Sequence, residues 1–208
     1  GKRESRRYVG DYVLTQHDVE NCTQFDDVVA YGGWQIDNHL PGGFHMDAKG
    51  GAHLQKRRLS EPYPIPLRSL YSKNIDNLMF AGRNISASHL AFASTRVMGT
   101  CTVIGQAAGT AAALMTKYNM TARQLCAEKI AELQDVLMED DCFLPGMKRK
   151  MSPLCNAETL KADWGDASVL LNGTERKIWG NDNGYWGMCN RAITYTFDEK
   201  KHISDFRL

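Results

Sequence analysis

From Gly105 to Ala113 every residue except Gln106 is glycine, alanine or threonine. A helix of this composition carries almost no side chain on its surface, so another backbone or a flat ligand can come close to it. Upstream, Asn77-Leu78-Met79-Phe80-Ala81 is a short apolar run ending at Gly82, which predicts a buried strand stopping where the backbone approaches something. A strand ending in glycine, then a polar loop, then a helix of tiny residues presents backbone N–H groups to an anion or a polarised oxygen. The same composition also serves tight packing in α/β proteins, and both readings stand at this point. Arg96 follows the candidate cap residues Ser94 and Thr95, which puts it in the first turn of the helix. A cation there opposes the helix dipole, so an anion is expected nearby.

The rest of the chain sets the limits within which this stretch works. Its 208 residues with 43% hydrophobic content suit one ordinary domain with a real core, or one and a half small ones. The 25 basic and 24 acidic residues are interspersed, for a net charge of +1. That leaves no field to attract nucleic acid or an anionic membrane, and the clusters Lys2-Arg3-Arg6-Arg7 and Lys148-Arg149-Lys150 read as solvated faces. The six cysteines are scattered with no C-x-x-C pair, and Cys101 and Cys126 read as small buried hydrophobes. No charge lies between Arg96 and Lys117, close to the roughly 20 residues a bilayer needs. The glycine, threonine and glutamine content makes this segment only weakly apolar, so a buried soluble helix is expected rather than a span. Gly1 to Arg7 has no apolar core behind its charges and there is no initiator methionine, so the chain reads as part of a longer one. The compartment stays open between the cytoplasm and, if a signal peptide precedes the chain, the bacterial periplasm.

Residues 1–70 read as strands and loops, with Arg7-Tyr8-Val9-Gly10-Asp11-Tyr12-Val13-Leu14 roughly alternating. Thr15 is placed to cap a short helix. Glycine pairs at 32–33, 42–43 and 50–51 punctuate the chain beyond that helix, and Tyr63-Pro64-Ile65-Pro66-Leu67 must be extended because each proline restrains its predecessor. Thr121-Ala122-Arg123-Gln124 is a capping box, after which Leu125, Ile130, Leu133 and Leu137 share one face of a helix expected to reach about Glu139. After Ser152 the pattern changes to short strand-like runs, Ser168-Val169-Leu170-Leu171 and Ala192-Ile193-Thr194-Tyr195-Thr196-Phe197, with asparagine-glycine turns and Trp164, Trp179 and Trp186 between them. These predict an all-β module whose tryptophans form its core or a glycan-binding face.

Taken together, residues 77–89 (Asn-Leu-Met-Phe-Ala-Gly-Arg-Asn-Ile-Ser-Ala-Ser-His), Ser94-Thr95-Arg96-Val97-Met98 and the helix from Gly105 to Ala113 resemble the C-terminal signature of bacterial FAD-dependent oxidoreductases of the glutathione-reductase-like flavoprotein superfamily. The resemblance extends upstream through residues 4–15, Asp37-Asn38-His39 and residues 63–70. It implies an α/β fold in which residues 1–147 are the C-terminal part of an FAD-binding domain. Within it, residues 1–70 form a β-rich substrate side and residues 71–147 the FAD-contacting strand and helices. Residues 152–208 resemble the start of a galactose-binding-like sandwich, cut short.

In that superfamily the strand glycine lies against the cofactor and the next helix points its N-terminus at the pyrimidine edge of the flavin. By resemblance, Gly82, Arg83, Asn84 and Ser86 lie near the ribityl and pyrophosphate, and Met98, Gly99, Thr100 and Cys101 near the ring. His39, His89 and Arg96 are the catalytic candidates. His39 belongs to the substrate side, His89 faces flavin or substrate or makes a structural hydrogen bond, and Arg96 holds an anionic reduced flavin or a substrate oxygen. Two features depart from the pattern. Arg83 stands where many members carry an acidic residue for a ribityl hydroxyl, and no G-x-G-x-x-G occurs, so the βαβ unit for the ADP half is absent. The expected function is hydride or two-electron transfer through FAD on a small organic substrate, with a carbohydrate among the candidates. The FAD belongs to a longer parent protein, and this chain alone is expected to hold none and to be inactive. The alternative is a non-catalytic glycan-binding or interaction module. His39, His45 and His53, with Asp37 and Asp47, lack metal-ligand spacing and read as loop residues.

Overall fold

Local hydrogen bonding explains the first helix. In the computed structural model, which describes residues 6–39, 54–176 and 183–204, Thr15 caps helix α1 (Gln16–Asn21) in a complete capping box. The Thr15 hydroxyl accepts from the Asp18 backbone N–H, and the Asp18 carboxylate accepts from the Thr15 N–H. The chain divides into two compact units, Gly1–Leu144 and Pro145–Leu208.

The first unit is mixed α/β, built on small two-stranded sheets. Strand β1 (Val28–Gly32) pairs antiparallel with β4 (Tyr63–Pro66), the proline-spaced segment expected to be extended. Prolines withhold two N–H donors from this strand, which restricts such a segment to short pairing. Strand β2 (Ile36–His39) pairs antiparallel with β3 (Leu54–Arg57). A 3₁₀ turn at Leu67–Ser69 leads away from β4. Four helices come next: α2 (His89–Thr95), α3 (Met98–Tyr118), α4 (Ala122–Glu128) and α5 (Ile130–Glu139). Helix α3 packs against β1, α4 and α5, and α2 packs against β2. Leu14, Val29, Ile36, Tyr63, Ile65, Leu70, Ile85, Ile104, Leu125, Leu133 and Leu137 form the core of this unit, each at 0–1% exposure.

Several expected elements take another form. Residues 77–81 are no strand: the segment makes one isolated antiparallel bridge, Tyr71 to Met79. Its ladder consists of Ser72 N–H to Leu78 C=O and Phe80 N–H to Leu70 C=O, too few bonds to organise an apolar run into a sheet element. Residues 7–14 likewise make only single bridges, Gly10 to Ser72 and Leu14 to Ala87. Gly10 is required there, since a Cβ would stand 2.6 Å from the Arg68 carbonyl oxygen. The helix expected to run from Thr121 to Glu139 is interrupted at Lys129 (φ −134°, ψ 15°), which caps α4 and opens α5. The Thr121–Gln124 capping box forms as expected.

Helix α3 has two unlike sides. Ile104, Ala107, Ala108, Ala111 and Leu114 are buried, so the alanines give the close approach that their size permits. Among the described residues, a Cβ at Gly99, Gly105 or Gly109 would meet nothing within 4 Å. The expected close packing over the whole small-residue run is therefore confined to its alanine side. Among the described residues no single helix is long and apolar enough to cross a membrane, and α2 and α3 are bent by 94° at the break between them.

The second unit holds one two-stranded antiparallel sheet among its described residues, β5 (Leu160–Ala162) with β6 (Ile193–Tyr195). The expected strand at residues 168–171 is a 3₁₀ helix, Ala167–Leu171, capped by the Asp166 carboxylate accepting from the Ser168 N–H. A side-chain cap two residues away outweighs the β-propensity of Val-Leu-Leu where no strand among the described residues offers pairing. No sandwich is formed among the described residues of this unit. Trp164 stacks on Tyr185 with ring centroids 4.7 Å apart and donates its indole N–H to the Trp186 carbonyl, while the Trp186 side chain is exposed. Trp179, His45, His53, Asp47 and the glycine pairs at 42–43 and 50–51 lie outside the described residues.

Candidate active site

The break between α2 and α3 organises the site. Ser88 caps α2, its hydroxyl accepting from the Ala91 N–H, and Arg96 is the C-cap residue of that helix. Val97 is extended (φ −73°, ψ 149°), and α3 starts at Met98. Arg96 is thus at a helix C-terminus, where its charge complements the dipole, rather than in the first turn of a helix. The anion expected beside it is present. Arg96 Nη2 donates to Asp37 Oδ2 at 3.3 Å and to the Asp37 carbonyl oxygen at 3.1 Å, with the Arg96 side chain only 10% exposed.

Asp37 also draws in His39, whose Nε2 lies 3.4 Å from Asp37 Oδ2. His89 is the first residue of α2, and its Nε2 is 3.0 Å from Asn38 Oδ1. Helix α2 therefore packs against β2, with its first residue meeting Asn38 and its C-cap residue meeting Asp37. The three catalytic candidates His39, His89 and Arg96 come together on consecutive residues of one short strand. Behind them, Tyr63 is fully buried, and its hydroxyl donates to Ser94 Oγ at 2.7 Å while Ser94 donates to the Trp34 carbonyl. That chain of hydrogen bonds ties α2 to β4 and to the turn before β2. Burial pushes the Tyr63 phenol well above its ordinary range, so it stays a neutral donor.

The residues expected at the cofactor lie in two places. Gly82 has φ +88° and is half-buried, a conformation that L side chains rarely adopt. Arg83 is exposed, and Asn84 is half-buried with its carbonyl accepting from the Tyr8 N–H at 3.0 Å. Ser86 is fully buried: its backbone bonds to Ser69 and Leu14, and its Oγ has no partner among the described residues. Ser86 Cβ faces Gly10, which directs this side chain into the packing. At the other place, Met98 is 87% exposed, Gly99 is exposed and Thr100 is buried. Cys101 donates its thiol to the Thr95 carbonyl at 3.6 Å, and burial pushes its pKa up, so it is a protonated packing thiol.

Val97 offers no side-chain cap to the 21-residue helix α3, whose first turn follows the Asp37-bound Arg96 directly in sequence. An uncapped N-terminus with an open glycine at its second position suits a flat ring that accumulates negative charge. The family model for FAD dependent oxidoreductase matches residues 1–137. The chain belongs to this family. No curated protein and no solved structure matches it. Family membership makes FAD the cofactor, and the residues at the start of α3 fit its flavin side in two respects: no side-chain cap at Val97 and a cation, Arg96, next to it in sequence. Among these residues no glycine-rich nucleotide loop meets the ADP half. No group of three or more metal-ligating side chains occurs among the described residues.

Asp37 is the member that sequence reasoning left out of the site. Its signal was present, since a carboxylate two residues before a histidine on a strand shares that histidine's face. Arg96 as its third partner was not legible, because it lies 59 positions away.

Proposed function

We propose that the chain supplies the substrate-side strand and the flavin-facing helix terminus of an enzyme that carries out hydride or two-electron transfer on a small organic substrate. The observation that carries this reading is the convergence of His39, His89 and Arg96 on Asp37-Asn38-His39, beside the uncapped start of α3. When bound, FAD supplies the electron-accepting chemistry. The first-turn amides of α3 and the Arg96 guanidinium offer donors to negative charge that builds up on reduction. His39 and His89 are the side chains able to take or return the proton that accompanies the transfer. Gly82 and Asn84 are the residues best disposed to approach the rest of the cofactor, and the buried Ser86 is not among them.

The 208-residue chain by itself is expected to retain no FAD, for want of contacts to the ADP half. The test is to purify the longest natural form of the protein, release any bound cofactor and titrate it with FAD by visible absorbance and flavin fluorescence. Saturable one-to-one binding, weakened by Gly99→Leu, is the expected result. A longest form that binds no FAD overturns the proposal.

A further inference from the structure

Asp37 is poorly explained as a stabilising residue. One of its oxygens, Oδ2, meets both Arg96 and His39, while Oδ1 is buried with no hydrogen-bond partner among the described residues. A buried carboxylate oxygen left without a donor is unfavourable, and an apolar side chain of similar size would avoid that cost. The residue holds its place in spite of this, and what it does structurally is specific. Both contacts from Arg96, to Oδ2 and to the Asp37 carbonyl oxygen, use the single nitrogen Nη2. They hold one edge of the guanidinium, and among the described residues they leave the donors of Nε and Nη1 for another acceptor. The contact to His39 comes through Nε2 at 3.4 Å, and a carboxylate beside that atom favours a proton on it.

We propose that Asp37 is a positioning residue for the two-electron transfer, fixing the direction of the Arg96 guanidinium and the tautomer of His39 through one oxygen atom. The inference rests on the proposed flavin function for what Arg96 acts upon, but the arrangement of Arg96 and His39 belongs to the chain itself. Asp37 touches neither substrate nor flavin in this role. One carboxylate serves both partners, so a disturbance at either is transmitted to the other.

The test has one readout without flavin and one with it. In the 208-residue chain labelled with ¹⁵N-histidine, and with His39 assigned through a His39→Gln variant, the ring nitrogens are expected to report the Nε2-protonated tautomer. Asp37→Asn retains an acceptor oxygen and is expected to keep that tautomer, whereas Asp37→Ala is expected to give a mixture. In the flavin-loaded longest form, redox titration of Arg96→Gln is expected to shift the flavin potential, and that shift is expected to shrink at least threefold in the Asp37→Ala background. Melting temperatures of every variant separate these effects from loss of fold, since a purely structural carboxylate moves the melt and leaves the other two readouts alone. An Arg96→Gln shift of equal size in both backgrounds overturns the proposal, as does a His39 tautomer indifferent to Asp37→Ala. If Arg96→Gln shifts no potential in the parent protein, the flavin role of Arg96 fails. A His39 tautomer that still follows Asp37 then supports the positioning role independently.

Discussion

The side-chain amide of Gln134 donates to two backbone carbonyls, those of Asp26 and Val28, both at 2.9 Å, from a position only 5% exposed. The contact falls where strand β1 slips in register between Val28 and Ala30. A bulge leaves backbone groups without ladder partners, and Gln134 on α5 reaches across to satisfy them.

Replacing Gln134 by Met keeps the volume and removes both donors, leaving two carbonyls unmatched. Destabilisation of about 1–3 kcal/mol is expected, read as a lower urea midpoint at unchanged slope. Gln134→Glu is expected to be worse, since a carboxylate facing two carbonyl oxygens repels them. Equal stability of Gln134→Met and the parent would show that water supplies the missing donors.

The two sides of α3 give opposite outcomes for nearly identical changes. Ala108 is 8% exposed, and Ala108→Leu is expected to cost about 1–3 kcal/mol by overpacking. Gly105 and Gly109 have open space at their Cβ positions, so Gly105→Ala and Gly109→Ala are each expected to stabilise by about 0.5–1 kcal/mol through lower unfolded-chain entropy. Thermal melts of the three variants decide the matter. Loss of stability in both alanine variants would mean that something covers the glycine side in solution.

Asp18 makes α1 sensitive to acid. Burial raises its pKa, but hydrogen bonds from the Thr15 side chain and backbone and from the Tyr12 hydroxyl outweigh that and hold it below the ordinary 3.8. Its folded pKa is depressed, so its contribution is fully present above the unfolded value and is lost as pH falls through the folded one. The melting temperature is expected to fall as pH is lowered below about 4, and to fall less in Asp18→Asn. An identical acid profile for the two proteins would assign the acid transition to other carboxylates.

Cys126 should be among the least reactive thiols despite a polar neighbour. Burial, and then the Asp27 carboxylate that its Sγ approaches at 3.7 Å, push its pKa up to about 11. At pH 8 about one thiol in a thousand is ionised. Iodoacetamide labelling followed by peptide mapping is expected to modify the exposed Cys189 long before Cys126. Arg68 holds Asp27 through its backbone N–H, Nε and Nη2, all at 3.0 Å. Arg68→Ala is therefore expected to cost about 1–3 kcal/mol, kept to that range because the guanidinium is partly exposed. Fast labelling of Cys126 in the intact protein would contradict its burial.

What the sequence determined by itself is whatever depends on neighbouring residues. The caps at Thr15 and Thr121 are legible because a hydroxyl reaches an N–H three positions on wherever the chain folds. The extended Tyr63–Pro66 segment is legible because proline acts on its own backbone and that of its predecessor. The motif run from Asn77 through Ala113 was enough to indicate the flavoenzyme family. Tertiary structure alone decided whatever depends on a distant partner. Residues 77–81 and 168–171 have strand-like composition, but a strand exists only when another offers it hydrogen bonds, and among the described residues neither segment finds more than a bridge or a local cap. Arg96 illustrates the same limit at the site. Its neighbours suggested a helix start, whereas extended Val97 makes it a helix end, and its direction is set by Asp37, a residue that no local rule connects to it.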